Sequence, residues 1–239
     1  MSNVRSVCGD TLPARTPFVP PRASGAFRHI AVPDRGSLRG ALVTRGPDAK
    51  IISYESNLEK RVLLVLLARR DIVDVREQIE PITYEDEQGA KRKHYFDFLA
   101  LRDDGKRALI AVKTEDWARR HDLLGLCTRI ARYVPPTLAD VVVPMTERDA
   151  PRDLVRDAEL FHCVRDDDRP DHDLIVSGIA STIRGTITVS CLVAASGLGG
   201  DGFRAVARLI QAGTLHVLTR GSIGYATRVS FATNEGRVS

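Results

Sequence analysis

The chain has 239 residues, of which 43% are hydrophobic and 28% charged, enough apolar side chains to build a buried core. The net charge of +4 is too small to identify a polyanionic partner by itself. Four widely spaced cysteines with no C-x-x-C pair exclude the common zinc-site spacing. Without an apolar leader or a run of about 18 apolar residues, we expect a cytoplasmic, nucleoid-associated protein.

The first 50 residues are unusually basic, with seven Arg and one Lys against three Asp, and they are rich in Pro, Gly and Ser. We expect residues 1–35 to form a flexible basic arm. Such an arm can lie along phosphates, or it can serve only solubility, and the sequence leaves both open.

Residues 36–150 have the pattern of an α/β domain. Ser56 and Glu59 have the spacing of a capping box, and the apolar run 62–68 that follows predicts a buried helix. Strands are predicted at 73–76, 78–84, 95–101, 108–114 and 141–143. A turn is predicted around Gly89 and a helix at 117–133. The strand at 141–143 is wholly apolar, as expected in a mixed sheet that is covered on both faces.

The charge-rich segment 151–173 is predicted to form a surface helix and a linker. Its acidic triplet at 166–168 is explained by a solvated loop or by cation binding. Residues 174–239 then show three short helices, near 174–183, 188–195 and 202–212, followed by a hairpin of strands at 213–218 and 225–231. That order predicts a small winged helix-turn-helix domain that binds DNA.

Two predicted strands each carry a charged residue in an apolar setting. Asp97 stands in Tyr-Phe-Asp-Phe, and Lys113 follows Ala-Leu-Ile-Ala-Val. Buried charge is costly unless it is paired, solvated or bound to a metal, and alternation along the strands allows Asp97 and Lys113 to share one face. A carboxylate and an ammonium together suit metal-dependent phosphodiester hydrolysis. Glu59, on the core side of the predicted helix, could complete a metal site.

Each of these residues also has a purely structural explanation. Glu59 could act only as a capping acid. Asp97 could pair with Arg92 or Lys93 at a strand end, and Lys113 could extend to solvent from the end of its strand.

The stretch from about residue 36 to 115 resembles the TnsA-type endonucleases, which have the PD-(D/E)xK nuclease fold. The resemblance covers about a third of the chain. The matching segments are Tyr-Glu-Ser-Asn-Leu-Glu (54–59), Val-Arg-Glu-Gln (75–78), Tyr-Phe-Asp-Phe (95–98) and Ile-Ala-Val-Lys (110–113). The resemblance implies that Glu59 and Asp97 bind Mg²⁺ or Mn²⁺, that Lys113 assists catalysis, and that a winged-helix-like domain follows. It also implies cleavage of double-stranded DNA beside a transposon end, together with a transposase and an ATPase regulator.

The chain departs from this family at two positions. Phe96 replaces the proline that often precedes the aspartate, which matters little. Ala111 replaces the Glu or Gln of the family, and a methyl group cannot bind a metal. Either Glu115 or water takes over that ligand position, or the site is crippled.

Two functions therefore remain open. One is a Mg²⁺-dependent DNA endonuclease of weak or partner-dependent activity. The other is a non-catalytic DNA-binding protein, a transcriptional regulator or assembly factor, that retains a degenerate nuclease fold. In both cases we expect Arg204 and Arg208 to project from one exposed face of the third helix of the C-terminal domain into the major groove. Arg220 and Arg228 on the wing would reach phosphate.

Overall fold

The protein is a mixed α/β structure, described by a computed structural model over residues 19–25, 38–46 and 48–232. Most of the basic arm expected at 1–35 lies outside these residues. The helices are α1 (Asn57–Ala68), α2 (Glu115–Arg120), α3 (Leu123–Ala131), α4 (Arg152–Val164), α5 (Pro170–Thr182), α6 (Val189–Ser196) and α7 (Gly200–Ala212). None of these helices has the length and apolar character needed to cross a membrane.

The strands form small sheets around a central one. They are β1 (Gly40–Val43), β2 (Ile51–Tyr54), β3 (Ile72–Glu77), β4 (Ile82–Glu85), β5 (Lys91–His94), β6 (Phe98–Arg102), β7 (Arg107–Val112), β8 (Val141–Met145), β9 (Ile187–Thr188), β10 (Leu215–Val217) and β11 (Arg228–Phe231). β1 pairs with β2 and β4 with β5, each antiparallel.

The central sheet has the strand order β3-β6-β7-β8. The first three strands are antiparallel, whereas β7 and β8 run parallel, so the prediction of a mixed sheet is confirmed. The strand predicted at 141–143 is present as β8, with Val142 and Val143 packed against the clusters on opposite faces. It lies at the edge of this four-stranded sheet, and Val141 is 49% exposed.

Helices cover both faces of this sheet. On β7, Ile110 and Val112 belong to the buried cluster that includes α1, whereas Leu109 and Ala111 belong to the cluster that includes α3. Burial on both sides explains why β7 is apolar at consecutive positions rather than at alternate ones. The central region is therefore a three-layer α/β/α arrangement.

Helix α1 begins as its capping box predicts. The Ser56 hydroxyl accepts a hydrogen bond from the Glu59 N–H at 3.1 Å, and the side chains of Val62 to Leu66 are all buried. The single helix predicted at 117–133 is wrong, because it is divided into α2 and α3. Asp122 stands between them with φ +45°, and its carboxylate accepts from the Gly125 N–H at 3.1 Å, which starts a new helix.

The segment 151–173 contains the helix that the sequence predicts, and this helix contacts both the central and the C-terminal region. It is α4, whose Val155 and Ala158 lie in the same buried cluster as α1. Helix α4 also contacts α7. Lys60 on α1 and Glu159 on α4 form an ion pair at 3.2 Å across the first of these contacts.

The C-terminal region has its own apolar core. Helices α5, α6 and α7 pack with a three-stranded antiparallel sheet of order β10-β11-β9. Its core includes Val176, Leu192, Val206, Leu215 and Val229. The predicted hairpin is present as β10 and β11, and sequence analysis missed β9, which has only two residues.

Candidate active site

Asp97 and Lys113 meet at one end of the central strands. Asp97 directly precedes β6 and Lys113 directly follows β7, and since these strands are antiparallel the two residues come together. The Lys113 Nζ lies 3.8 Å from the Asp97 Oδ2. Asp97 Oδ2 also accepts from the Val112 N–H at 2.7 Å, just beyond the last regular backbone pair of the two strands.

Burial makes the Asp97 carboxyl unusually weak as an acid. Its side chain is 20% exposed. Burial, together with the negative charges of Glu59 and Glu55, raises the pKa of Asp97 to about 6, although Lys113 and the Val112 N–H pull it down. At pH 7 the group is ionised but poorly compensated, so it is disposed to accept a cation.

Glu59 reaches the same place from the first turn of α1. Its two carboxylate oxygens accept hydrogen bonds from the Glu55 N–H at 2.7 Å and from the Ser56 hydroxyl at 3.0 Å. The predicted capping function of Glu59 is therefore present. Because Glu59 also lines a cavity with Asp97, the cap fixes its side chain at the border of that cavity.

The cavity between these residues has a volume of about 20 Å³, room for about one water-sized group. Its lining is Ser53, Glu55, Glu59, Gln78, Ile79, Tyr95, Phe96 and Asp97. Sequence analysis assigned no role to Glu55 or Gln78, although both stand in the segments that carry the family resemblance. The Gln78 Nε2 donates a hydrogen bond to the Glu55 Oε1 at 3.1 Å, so these two lining residues hold each other in place.

Ala111 lies apart from solvent and from this cavity. It has no exposed surface and belongs to the apolar cluster of Leu109, Leu123 and Cys127. Glu115, the suggested replacement for the missing acid, is not among the residues that line the cavity. Glu115 begins α2 and its carboxylate pairs with Arg148 at 2.7 Å.

Sequence comparison does not identify the site. No protein-family model matches the chain, and no curated protein matches it. Within 19–25, 38–46 and 48–232, no group of three or more His, Cys, Asp or Glu side chains is arranged to hold a metal ion. Any cation in the cavity would therefore need oxygen ligands of another kind beside the carboxylates.

His94 is a further half-buried group near the site that the sequence did not single out. Its ring lies against Phe96, with centroids 4.7 Å apart. Burial and the nearby Lys113 charge lower the pKa of His94 to about 4, so its imidazole is neutral at physiological pH.

The expected exposed arginine face of α7 is not present. The Arg208 side chain is 10% exposed and pairs with Asp173 at 2.6 Å and with Asp167 at 2.7 Å. Arg204 is 41% exposed and pairs with Asp167 at 2.8 Å. The hydrogen bond from Arg204, with the nearby Arg208 charge, lowers the pKa of Asp167. Asp167 of the triplet 166–168 therefore pairs with α7. Every residue from 202 to 211 is buried or half-buried.

Arg220 and Arg228 remain on the surface. Arg220 is exposed in the loop between β10 and β11, and the Arg228 guanidinium donates to the Thr186 hydroxyl at 2.5 Å. The same loop is held against α4, because the Ile223 N–H donates to Asp157 Oδ1 at 2.7 Å. Its tip is therefore attached to the rest of the protein.

A second exposed basic feature leads to the cavity. The strand β5 reads Lys-Arg-Lys-His, and its first three residues are exposed. Arg92 pairs with Asp86 at 2.9 Å. Lys91 and Lys93 are on the strand whose chain continues into Tyr95 and Asp97, both of which line the cavity.

Proposed function

We propose that the protein is a Mg²⁺-dependent DNA endonuclease of the TnsA type, with weak or partner-dependent activity. The observation that carries the proposal is the convergence of three distant residues. Asp97 pairs with Lys113 at 3.8 Å, and Glu59 lines the same cavity as Asp97. A helix terminus and the ends of two strands supply these groups, and their types suit phosphodiester hydrolysis.

The topology around the site supports the same proposal. Helix α1 is followed by the antiparallel strands β3, β6 and β7, then by α2 and α3, and then by β8 parallel to β7. That order suits the PD-(D/E)xK core that the sequence resemblance implies. Fold alone does not establish function, so the weight of the proposal remains on the cavity.

The residues present fit a small, hard cation. The cavity offers carboxylate oxygens and a buried amide oxygen, and Mg²⁺ is commonly held by one or two carboxylates together with water and substrate phosphate. When bound, the cation would supply Lewis acidity at a scissile phosphate. Asp97 and Glu59 would hold it, and Lys113 would place its ammonium beside the negative charge that develops during attack.

Nicking of supercoiled plasmid in Mg²⁺ or Mn²⁺ tests this proposal. We expect slow, metal-dependent conversion to open circles by the full chain, and loss of the conversion in Asp97→Asn. Gln88→Leu, on the exposed hairpin turn, is a control that should leave the rate unchanged. If wild type and Asp97→Asn nick plasmid at the same rate, the activity does not come from this site.

A specific observation also favours the second candidate, a non-catalytic DNA-binding protein with a degenerate nuclease fold. Ala111 has no exposed surface, and both carboxylate oxygens of Glu59 are occupied by local hydrogen bonds. If the purified protein neither binds Mn²⁺ nor nicks DNA but still binds duplex DNA, this candidate replaces the first.

For the C-terminal region we propose a winged-helix unit that docks on protein. The helix order and the sheet order β10-β11-β9 support a winged helix. However, α7 contacts α4, α5 and α6, and its arginines are committed to Asp167 and Asp173. Arg220, Arg228 and the basic strand β5 would therefore make the contacts with DNA.

A further inference from the structure

Gln78 has an unusual backbone conformation beside the cavity. It directly follows β3 and has φ +45°, in the left-handed region that residues other than glycine seldom occupy. Its N–H donates to the Asp97 carbonyl at 2.9 Å, so this conformation is tied to the residue at the centre of the site. A non-glycine residue held in this region costs on the order of 1 kcal/mol and is often found at functional sites.

The side chain of Gln78 ends in an oxygen that lacks a hydrogen-bond partner. Its Nε2 donates to Glu55 Oε1 at 3.1 Å, and the opposite amide orientation would bring two acceptor oxygens together. The Oε1 is then fully buried and accepts no hydrogen bond from the described part of the chain. Leaving a buried carbonyl unpaired costs about 1–3 kcal/mol. A bound group that interacts with this oxygen would remove that cost.

The surroundings of this oxygen favour a cation over a neutral group. Gln78 lines the cavity together with Glu55, Glu59 and Asp97, so one amide-bearing residue and three acidic residues surround a space of about 20 Å³. Carboxylate and carbonyl oxygens are the ligands that Mg²⁺ and Mn²⁺ prefer.

We propose that the Gln78 amide oxygen is a ligand to the divalent cation and compensates for the acid that is missing at Ala111. The inference rests on the proposed function, since it assigns a ligand within the same site. In this inference the third metal ligand comes from the residue that follows β3. The sequence resemblance instead places the third ligand on β7. Glu55 is then a positioning residue, because its carboxylate orients the Gln78 amide.

Titration calorimetry of the full chain with Mn²⁺ tests this assignment without measuring cleavage. We expect Gln78→Leu to weaken binding by about 10-fold or more, the loss that follows removal of an ordered group at a metal site. Gln78→Glu keeps an oxygen at this position and adds charge, so it should bind at least as tightly as wild type. Gln88→Leu removes an amide from the exposed hairpin turn and should leave the affinity unchanged.

The variants also separate failure of this inference from failure of the proposed function. If Asp97→Asn loses Mn²⁺ and Gln78→Leu binds it as wild type does, Gln78 is not a ligand and the metal site stands. If wild type binds no Mn²⁺, both proposals fall, and a water molecule is the better occupant of the cavity. Should Gln78→Leu prove unfolded by circular dichroism, Gln78→Glu decides, because weaker binding by that variant would overturn the assignment.

Discussion

At the scale of single residues, the negative charge around the acidic cavity lowers the stability of the fold. Asp97 is mostly buried, and Glu55 and Glu59 add negative charge near it. Lys113 offsets only part of that cost, since the pKa of Asp97 is still raised to about 6. Such an arrangement is typical of sites that hold a cation, because the cation removes the penalty when it binds.

Replacing Asp97 should therefore make the metal-free protein more stable. Between pH 3.8 and about 6 the folded protein keeps a proton that the unfolded chain has released, so this group lowers stability as pH rises through that window. We expect Asp97→Asn to raise the free energy of unfolding at pH 7.5 by roughly 1–3 kcal/mol and to bring no gain below pH 4. Urea denaturation of wild type and Asp97→Asn at several pH values, in the presence of a chelator, measures the gain at pH 7.5 and its absence below pH 4.

Asp104 offers the opposite case on the exposed turn between β6 and β7. Its pKa is lowered, chiefly because it accepts the Lys106 N–H. Asp104→Asn should therefore lose stability above its unfolded pKa rather than gain it. If Asp97→Asn showed the same sign as Asp104→Asn, Asp97 would not be the strained group of the site.

The site of Ala111 has no room for the acidic side chain that the family carries at this position. The family resemblance suggests that Ala111→Glu would strengthen metal binding, provided that this part of the strand is open to water. It is closed, because Ala111 has no exposed surface and belongs to the cluster of Leu123 and Cys127. We expect Ala111→Glu to lower the free energy of unfolding by about 2–4 kcal/mol through overpacking and buried charge.

Thermal unfolding of Ala111→Glu, with and without Mn²⁺, measures this effect. Ala90→Glu is a matched control on the exposed hairpin turn and should melt close to wild type. An Ala111→Glu protein as stable as wild type, and further stabilised by Mn²⁺, would show that the new carboxylate reaches the cavity and would restore the expectation drawn from sequence.

At the scale of elements, α7 is held by charge as well as by apolar packing. One face carries Val206 and Leu209 into the C-terminal core, and another carries Arg208 onto Asp167 and Asp173. A helix packed on so many sides cannot enter a DNA groove without first being released. The arginines that sequence analysis assigned to DNA therefore have a structural role in this arrangement.

We predict that Arg208→Ala destabilises the protein more than Arg204→Ala does. The Arg208 side chain is 10% exposed and pairs with two carboxylates, so its removal takes the bidentate partner from Asp173 and one of two arginines from Asp167. The expected loss is about 2 kcal/mol, below the cost of breaking a fully buried pair because the two aspartates are partly exposed. Arg204 is 41% exposed, and its loss should cost at most about 1 kcal/mol.

Urea denaturation of the two single variants and of the double variant distinguishes them, and gel shifts with duplex DNA show whether binding changes. Loss of DNA binding in Arg208→Ala at unchanged stability would return this arginine to the DNA interface.

At the scale of the whole molecule, the two regions form one connected body. Helix α4 contacts both α1 and α7, and Asp157 of α4 accepts a hydrogen bond from the β10–β11 loop. The acidic cavity and the strand β5 lie in the central region, away from the arginines of α7 in the chain. Contact with DNA near the cavity would then depend on β5 rather than on α7.

We predict that the double variant Lys91→Ala/Lys93→Ala weakens binding to duplex DNA of any sequence. Each phosphate contact contributes about 0.9 to the slope of log K against log salt concentration, so the slope should fall by about 2. Fluorescence anisotropy at several salt concentrations measures it. Lys106→Ala, on the turn at the other end of β6 and β7, is the control and should keep the slope of wild type. An unchanged slope in the double variant would remove β5 from the interface.

Helix α1, the strands β6 and β7, and the candidate residues Glu59, Asp97 and Lys113 could be predicted from the sequence. The capping box at Ser56 and Glu59 and the apolar strands that lead to Asp97 and Lys113 are patterns within a few residues, and backbone geometry turns them directly into helix and strand. The convergence of Asp97 and Lys113 also followed, because antiparallel strands joined by a short turn bring their outer ends together.

What only the tertiary structure decided is which side chains are satisfied, buried or left unpaired. The division of the helix at Asp122, the edge position of β8, the burial of Arg208 and the unpaired oxygen of Gln78 all depend on partners distant in the chain. The periodicity of α7 identifies a polar face, but whether that face meets water, DNA or the acids at 167 and 173 depends on how α4 and α5 pack against it. Burial and charge pairing are properties of the assembled fold, because they depend on distances that no local pattern specifies.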